Sequence, residues 1–297
     1  MSDRSSHAAD ALCEAIRASG SPVCVGLDPV LDNIPVEVTE NRPADRIERF
    51  SRGVLESVRA FAPAVKFQSA CYERHGWEGV RALERSMQVA RDLGFIVILD
   101  AKRGDIGISA SHYAASARSA GAHFVTVNGY LGISGIEPFL SEGLGVFVLV
   151  RTSNPDSAAF QSCPTNGGAT IAELMASNVR ELGEKRIGES GLSSVGAVVG
   201  ATQSAEASAL RQRMPDQIFL IPGFGAQGGT ADDVRAMVRA GKSFDRAGVL
   251  VTASRSVIYP KSSGSTWQDS IRVAARDLAA QILRAVGGAA HGSINRQ

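Results

Sequence analysis

No stretch of this 297-residue chain is long and apolar enough to span a bilayer: the longest apolar runs, 95–99 and 146–150, fall far short of the ~20 residues a membrane helix needs. An excess of either charge is also lacking. Lys and Arg number 31 against 30 Asp and Glu, leaving a formal net charge of +1. Such a balance offers no field for gathering nucleic acid, so an anionic ligand must be held by a local site. The four cysteines, Cys13, Cys24, Cys71 and Cys163, have no paired spacing, which suggests neither a zinc site nor a disulfide framework. His7, His75, His112, His123 and His291 show no metal-ligand spacing either. Residues 1–10 are polar and lack the basic-then-apolar order of a secretion signal, so the expected location is cytoplasmic.

What is present is a repeat of short apolar runs, each followed by a helical stretch. The runs are 23–27, 64–67, 95–99, 124–127, 146–150, 195–199, 218–221 and 248–251. Their near-continuous apolar composition suits strands covered by helices. Amphipathic stretches at 46–60, 80–93, 171–182, 205–213 and 269–285 supply that cover. Eight βα units predict an α/β fold of the TIM (β/α)8 barrel class, one domain over 1–297. A short helical extension is expected at about 7–20 and a frayed tail at about 287–297. The first run ends in Asp28-Pro29 rather than a glycine-rich turn, which opposes a dinucleotide-binding sheet. Two long connections, 29–45 and 154–168, are expected to act as lids.

In such a barrel the working residues stand where apolar strands end. The first strand ends at Asp28, the second carries Lys66, and the third runs into Asp100-Ala101-Lys102-Arg103-Gly104-Asp105. A side-chain period of two places Asp100 and Lys102 on the same side of their strand, facing the mouth. Gly104 permits a sharp exit, which carries Asp105 either back toward the site or across to a neighbouring subunit. Any one of these residues alone is more often a solvated loop residue or a structural ion pair. Converging on one mouth, they form a charge network that is costly to bury unless a function retains it. After the seventh and eighth runs come the glycine-rich 222–229 and Ser254-Arg255-Ser256. Loops at these two positions commonly bind phosphate: glycines let backbone N–H groups approach, Arg255 offers a planar fork, and Gln227 adds an amide donor. Arg103 reads as structural.

With these residues in place, the chain resembles the orotidine 5'-phosphate decarboxylases along essentially its whole length. Their Asp-x-Lys-x-x-Asp pattern is met by Asp100, Lys102 and Asp105, although phosphosugar relatives share it. Val25-Gly26-Leu27-Asp28-Pro29 resembles the family's first strand, whose Asp contacts the ribose. Val65-Lys66-Phe67-Gln68 resembles the second, whose Lys joins the charge network. Thr152-Ser153-Asn154-Pro155 resembles the start of the family's lid, which assigns Ser153 to the pyrimidine. By the same likeness Pro222 and Gln227 belong to the phosphate-gripping loop and Arg255 is the phosphate arginine. Asn128-Gly129-Tyr130-Leu131-Gly132, with the two long connections, is similar to the longer-chain branch.

The resemblance implies conversion of orotidine 5'-monophosphate to UMP and CO2 in de novo pyrimidine biosynthesis, with no cofactor and no metal. Lys102 would be the proton donor, Asp100 its charged neighbour beside the substrate carboxylate, and Lys66 and Asp105 the holders of the network. It also implies a homodimer in which Asp105 serves the partner's site and Ile106 and Ser109 line the shared edge. Two other readings compete. One is a Mg²⁺-dependent phosphosugar decarboxylase or synthase of the same superfamily, against which Lys66 stands where a carboxylate ligand would be more useful. The other is a non-catalytic nucleotide-binding barrel, which the complete Asp–Lys set opposes.

Overall fold

The computed structural model describes residues 7–201, 204–225, 228–261 and 265–291. Eight parallel strands pair in sequence order: β1 (Val23–Leu27), β2 (Ala64–Gln68), β3 (Ile96–Arg103), β4 (Phe124–Val127), β5 (Gly145–Arg151), β6 (Ser193–Val199), β7 (Gln217–Ile221) and β8 (Val249–Ala253). β8 then pairs with β1 through Val23 opposite Val251, closing the barrel. All eight expected strands are present, with ends displaced by a few residues. The largest extension is in β3, which runs on to Arg103.

Strand parity decides what faces where. On β1 to β4, odd-numbered residues such as Val25, Phe67, Val97 and Val125 face outward into the layer beneath the helices. The even-numbered Cys24, Ala64, Ile96, Ile98 and Phe124 face the interior. Both faces are therefore dry, which is why the strands read as continuous apolar runs. The interior series continues toward the C-terminal ends as Lys66 on β2, Asp100 on β3 and Thr126 on β4, all buried. An apolar floor thus passes into a polar mouth along the same faces.

The N-terminal helix Ala8–Ser19 presents Ala9, Leu12, Cys13 and Ile16 to that interior cluster. These positions form one helical face. The helix is tied across the end opposite the mouth by two polar contacts. The Asp10 carboxylate accepts the N–H groups of Glu189 (2.9 Å) and Ser190 (2.8 Å) ahead of β6, and Arg17 pairs with Asp245 at 2.8 Å ahead of β8.

Outer helices include Pro43–Val58, Gly76–Asp92, Gly107–Ser119, Ile171–Glu184 and Ser204–Arg213. The first begins three residues before the expected 46, with Pro43 in its first turn, a position where the missing N–H costs nothing. The last helix, Trp267–His291, continues past Gly287, where fraying was expected. Ile282, Ala285 and Val286 are buried on the core and carry the helix through. Residues 292–297 of the expected tail lie outside the described residues. The connection 154–168 is itself folded, with turns at Pro155–Ser157 and Ala158–Gln161. Among the described residues no helix is long and apolar enough to cross a membrane.

Candidate active site

A cavity of about 480 Å³ opens at the C-terminal ends of the strands, within the size range of small-ligand sites. One wall is ionic. Lys66 Nζ stands 2.8 Å from Asp100 Oδ2 and 3.4 Å from Asp28 Oδ1, and Lys102 Nζ stands 2.7 Å from Asp100 Oδ1. The order Asp28, Lys66, Asp100, Lys102 alternates in sign and sums to zero. Asp100 is only 7% exposed and Lys66 only 6%, so each charge depends on its neighbours to replace lost water.

Burial alone would raise the Asp100 pKa, but Lys66 and Lys102 outweigh it and hold the carboxyl at about 2. Burial works against the Lys66 ammonium, and Asp28 and Asp100 more than offset it, pushing that group above the usual lysine range. Both buried members are therefore fixed in their ionised forms. Two neutral donors complete the Asp100 carboxylate: the Thr126 hydroxyl gives a hydrogen bond to Oδ1 at 2.8 Å and the Gln68 amide gives a longer one to Oδ2 at 3.4 Å.

Asp100 and Lys102 do meet at the mouth, but not by the regular pleat that suggested it. The pairing of β3 with β4 shifts register between Leu99 and Arg103, which lie opposite Val125 and Val127. Within that bulge Lys102 has φ +46°, the only non-glycine residue with positive φ among the described residues. Left-handed backbone costs a side-chain-bearing residue roughly 1–2 kcal/mol, so surrounding contacts must hold it. One of them is the Lys102 N–H, given to Thr126 Oγ1 at 2.9 Å.

The opposite wall comes from three loops. After β5 it is Thr152, Ser153, Asn154 and Gln161; after β7, Pro222, Gly223 and Phe224; after β8, Ser254 and Arg255. Arg255 opens the helical turn Arg255–Ile258. The β5 loop is anchored by the buried Arg151, whose guanidinium reaches Glu206 (2.6 Å) and Ser157 Oγ (2.6 Å). Gln161 then accepts the Thr152 N–H at 2.9 Å. Gly26 has no room for a side chain: a Cβ there would lie 1.9 Å from Ser254 Oγ, so β1 can approach the β8 loop only as glycine.

Asp28, Lys66, Asp100, Lys102, Ser153, Pro222 and Arg255 thus line one cavity. Three expected residues do not. Asp105 is turned to its own loop, accepting the Ile106 N–H at 2.8 Å, while Ile106 and Ser109 lie exposed on the outer rim. The expectation for Gln227 lies outside the described residues. Arg103 pairs with Glu73 at 2.9 Å and stands 4.9 Å from the Tyr113 ring, away from the cavity. Gln68, Thr126 and Gln161, which had no role in the sequence reading, also line the cavity. Strand parity would have found the first two, since both continue the interior series. Among the described residues no three His, Cys, Asp or Glu side chains are grouped to hold a metal ion, and the acidic pair Asp28 and Asp100 is bridged by Lys66 instead.

A closed parallel barrel carrying a neutral chain of four alternating charges, the middle two buried, at the C-terminal mouth defines a (β/α)8-barrel enzyme. The chain belongs to the Orotidine 5'-phosphate decarboxylase / HUMPS family, whose model matches residues 21–269. It is 39% identical over 287 residues to an orotidine 5'-phosphate decarboxylase of Rhodopirellula baltica, covering 88% of this chain and 93% of that one. To the one from Clostridium kluyveri it is 38% identical, covering 84% and 86%. Among solved structures, the OMP decarboxylase of Leishmania donovani superposes with a TM-score of 0.76 at 30% identity, covering 94% of this chain and 98% of that one.

The ionic wall makes a stability prediction. Asp100→Asn removes a carboxylate whose folded pKa of about 2 lies below its ordinary 3.8, and should lower the unfolding free energy at pH 7 by about 2 kcal/mol in urea denaturation. A depressed carboxyl stabilises the fold where the unfolded group is ionised. The gap between native and variant should therefore be complete above 3.8 and close as pH falls through about 2. A gap that widened toward acid would contradict this assignment of charge.

Proposed function

We propose that this enzyme decarboxylates orotidine 5'-monophosphate to UMP without a cofactor, and that Lys102 supplies the proton. The observation that carries the reading is the alternating chain Asp28, Lys66, Asp100, Lys102, which leaves Lys102 as the cationic end reaching into the cavity, its side chain 48% exposed.

The C6–carboxylate bond breaks with its electron pair left on C6, CO2 departs, and the Lys102 ammonium delivers a proton to C6. The amine then regains a proton from solvent, so the net reaction consumes one proton. A cation fixed in place beforehand stabilises the developing carbanion without reorganising during the reaction. The bulge and the bond to Asp100 provide that fixing. Asp100, ionised by its two lysines, would also repel a substrate carboxylate set beside it, a stress relieved as CO2 leaves; this ground-state effect ranks second. Lys66 holds the Asp28 and Asp100 carboxylates in register. On this reading Asp28 serves the ribose, Ser153 the pyrimidine, and Pro222 and Arg255 the phosphate; the family likeness adds Gln227, which lies outside the described residues. Binding energy from the remote phosphate can then be expressed at the reacting ring.

The Mg²⁺-dependent phosphosugar reading would need the Asp28 and Asp100 carboxylates for a cation, and the Lys66 ammonium already sits between them. The same proposal makes the enzyme a cytoplasmic homodimer with Asp105 working in the partner's site. Supporting that reading, Ile106 is 59% exposed, and Ile108 and Tyr130 are 74% and 72% exposed, a concentration of apolar surface that suits a covered edge.

Purified protein should produce the ultraviolet change that accompanies loss of orotidine 5'-monophosphate, undiminished in EDTA, and Lys102→Ala should reduce turnover by a factor of roughly 10³ or more. Equal rates for the two proteins would sink the mechanism, and inhibition by EDTA would revive the metal-dependent alternative. Arg255→Ala should lower kcat/KM by about 2–3 kcal/mol of transition-state stabilisation, the loss of a charge-assisted contact. An unchanged kcat/KM would remove Arg255 from the phosphate site. For the shared site, Lys102→Ala and Asp105→Ala, each inactive alone, should regain activity on mixing, because a hybrid dimer contains one site with both native residues. No recovery after subunit exchange would place Asp105 in its own chain's chemistry.

A further inference from the structure

Thr126 is 1% exposed and lies on β4, on the interior parity that carries Lys66 and Asp100 on the two strands before it, one residue beyond the Leu99–Val125 pair. A hydroxyl in that place needs partners, and it has two, both in the ionic wall. Its oxygen accepts the Lys102 N–H at 2.9 Å, and its proton goes to Asp100 Oδ1 at 2.8 Å. The same Oδ1 receives the Lys102 ammonium at 2.7 Å. The lysine is therefore gripped at both ends by one small assembly. Its main chain hangs on the threonine, its head on the carboxylate, and the threonine ties the two together. The grip falls where it is needed, because Lys102 sits in the β3 bulge with φ +46°, a conformation that is unfavourable for a residue with a side chain.

We propose that Thr126 is a positioning residue for the reaction: its hydroxyl sets where the Lys102 ammonium stands. The proposal rests on the reading of Lys102 as proton donor. Thr126 itself touches no substrate in this account. Valine in its place would keep the shape and remove both bonds, releasing the Lys102 N–H and leaving Asp100 Oδ1 with the ammonium as its remaining partner. The lysine head would then lose its fixed distance from C6, while the phosphate and ribose contacts, which come from β1 and from the loops after β7 and β8, would stay as they are.

The test compares native protein, Thr126→Val and Thr126→Ser for kcat, KM, melting temperature and UMP affinity by titration calorimetry. Thr126→Val should lose kcat by about a hundredfold, the order expected for an ångström of misplacement at a reacting group, with KM and UMP affinity within about threefold of native. Thr126→Ser, which keeps the hydroxyl and drops only the methyl, should recover most of the lost kcat. Should valine not be accepted in the slot, Thr126→Ala removes the hydroxyl without adding bulk and is read in the same way. Native kcat in the valine variant overturns the proposal. So does a loss confined to KM and UMP affinity, which would make Thr126 part of the binding surface. A kcat loss that tracks a fallen melting temperature and is not recovered by serine would make it packing alone. If the native protein itself leaves orotidine 5'-monophosphate unchanged, the parent reading fails, and the comparison among variants separates that outcome from failure of the Thr126 assignment.

Discussion

The Asp100 carboxylate is the point on which the site turns. It receives two ammonium groups, a hydroxyl and an amide, at distances from 2.7 to 3.4 Å, and it is almost sealed from solvent. A carboxylate so placed cannot tolerate a missing partner, because each lost donor leaves charge in a region where water cannot replace it. That requirement reaches outward through the fold. Lys66 must stand one strand away on the interior parity, Asp28 must balance it from β1, and Lys102 must fold back through a bulge to reach the second oxygen. The order of the strands around the barrel is what brings these three elements side by side.

Much of this was legible in the sequence, and the parts that were not share a cause. Strands buried on both faces announce themselves as apolar runs, so all eight could be located from composition and spacing. Asp28, Lys66, Asp100 and Lys102 stood out because a charge at the end of such a run is conspicuous. Thr126 and Gln68 lie on the same faces but are neutral, and a threonine within an apolar run is ordinary β-strand composition. The helix Gly107–Ser119 was similarly quiet, since its buried face is Ala110, Ala114 and Ala117, too small to mark a period.

The conformation of Lys102 was beyond pattern reading altogether. A two-residue period predicts a side but assumes a regular pleat, and the register shift between Leu99 and Arg103 abolishes that assumption at Lys102. Local strain of this kind is set by tertiary contacts, here the hydroxyl of a neighbouring strand and the carboxylate two residues back. Asp105 illustrates a different limit. Gly104 permits either direction for the chain, and the choice between serving its own site and serving another's depends on a surface that a single sequence does not describe.

The helix at the other end of the barrel closes the interior on the side away from the mouth. Leu149, Val198 and Leu220 border the cavity and also rest on the interior cluster that Leu12 and Ile16 close from below. Among the described residues, packed hydrocarbon lies between the floor of the cavity and that helix. Traffic is therefore one-way in space and two-way in time: a nucleotide must enter, and a gas and a nucleotide must leave, by the route framed by the loops after β5, β7 and β8.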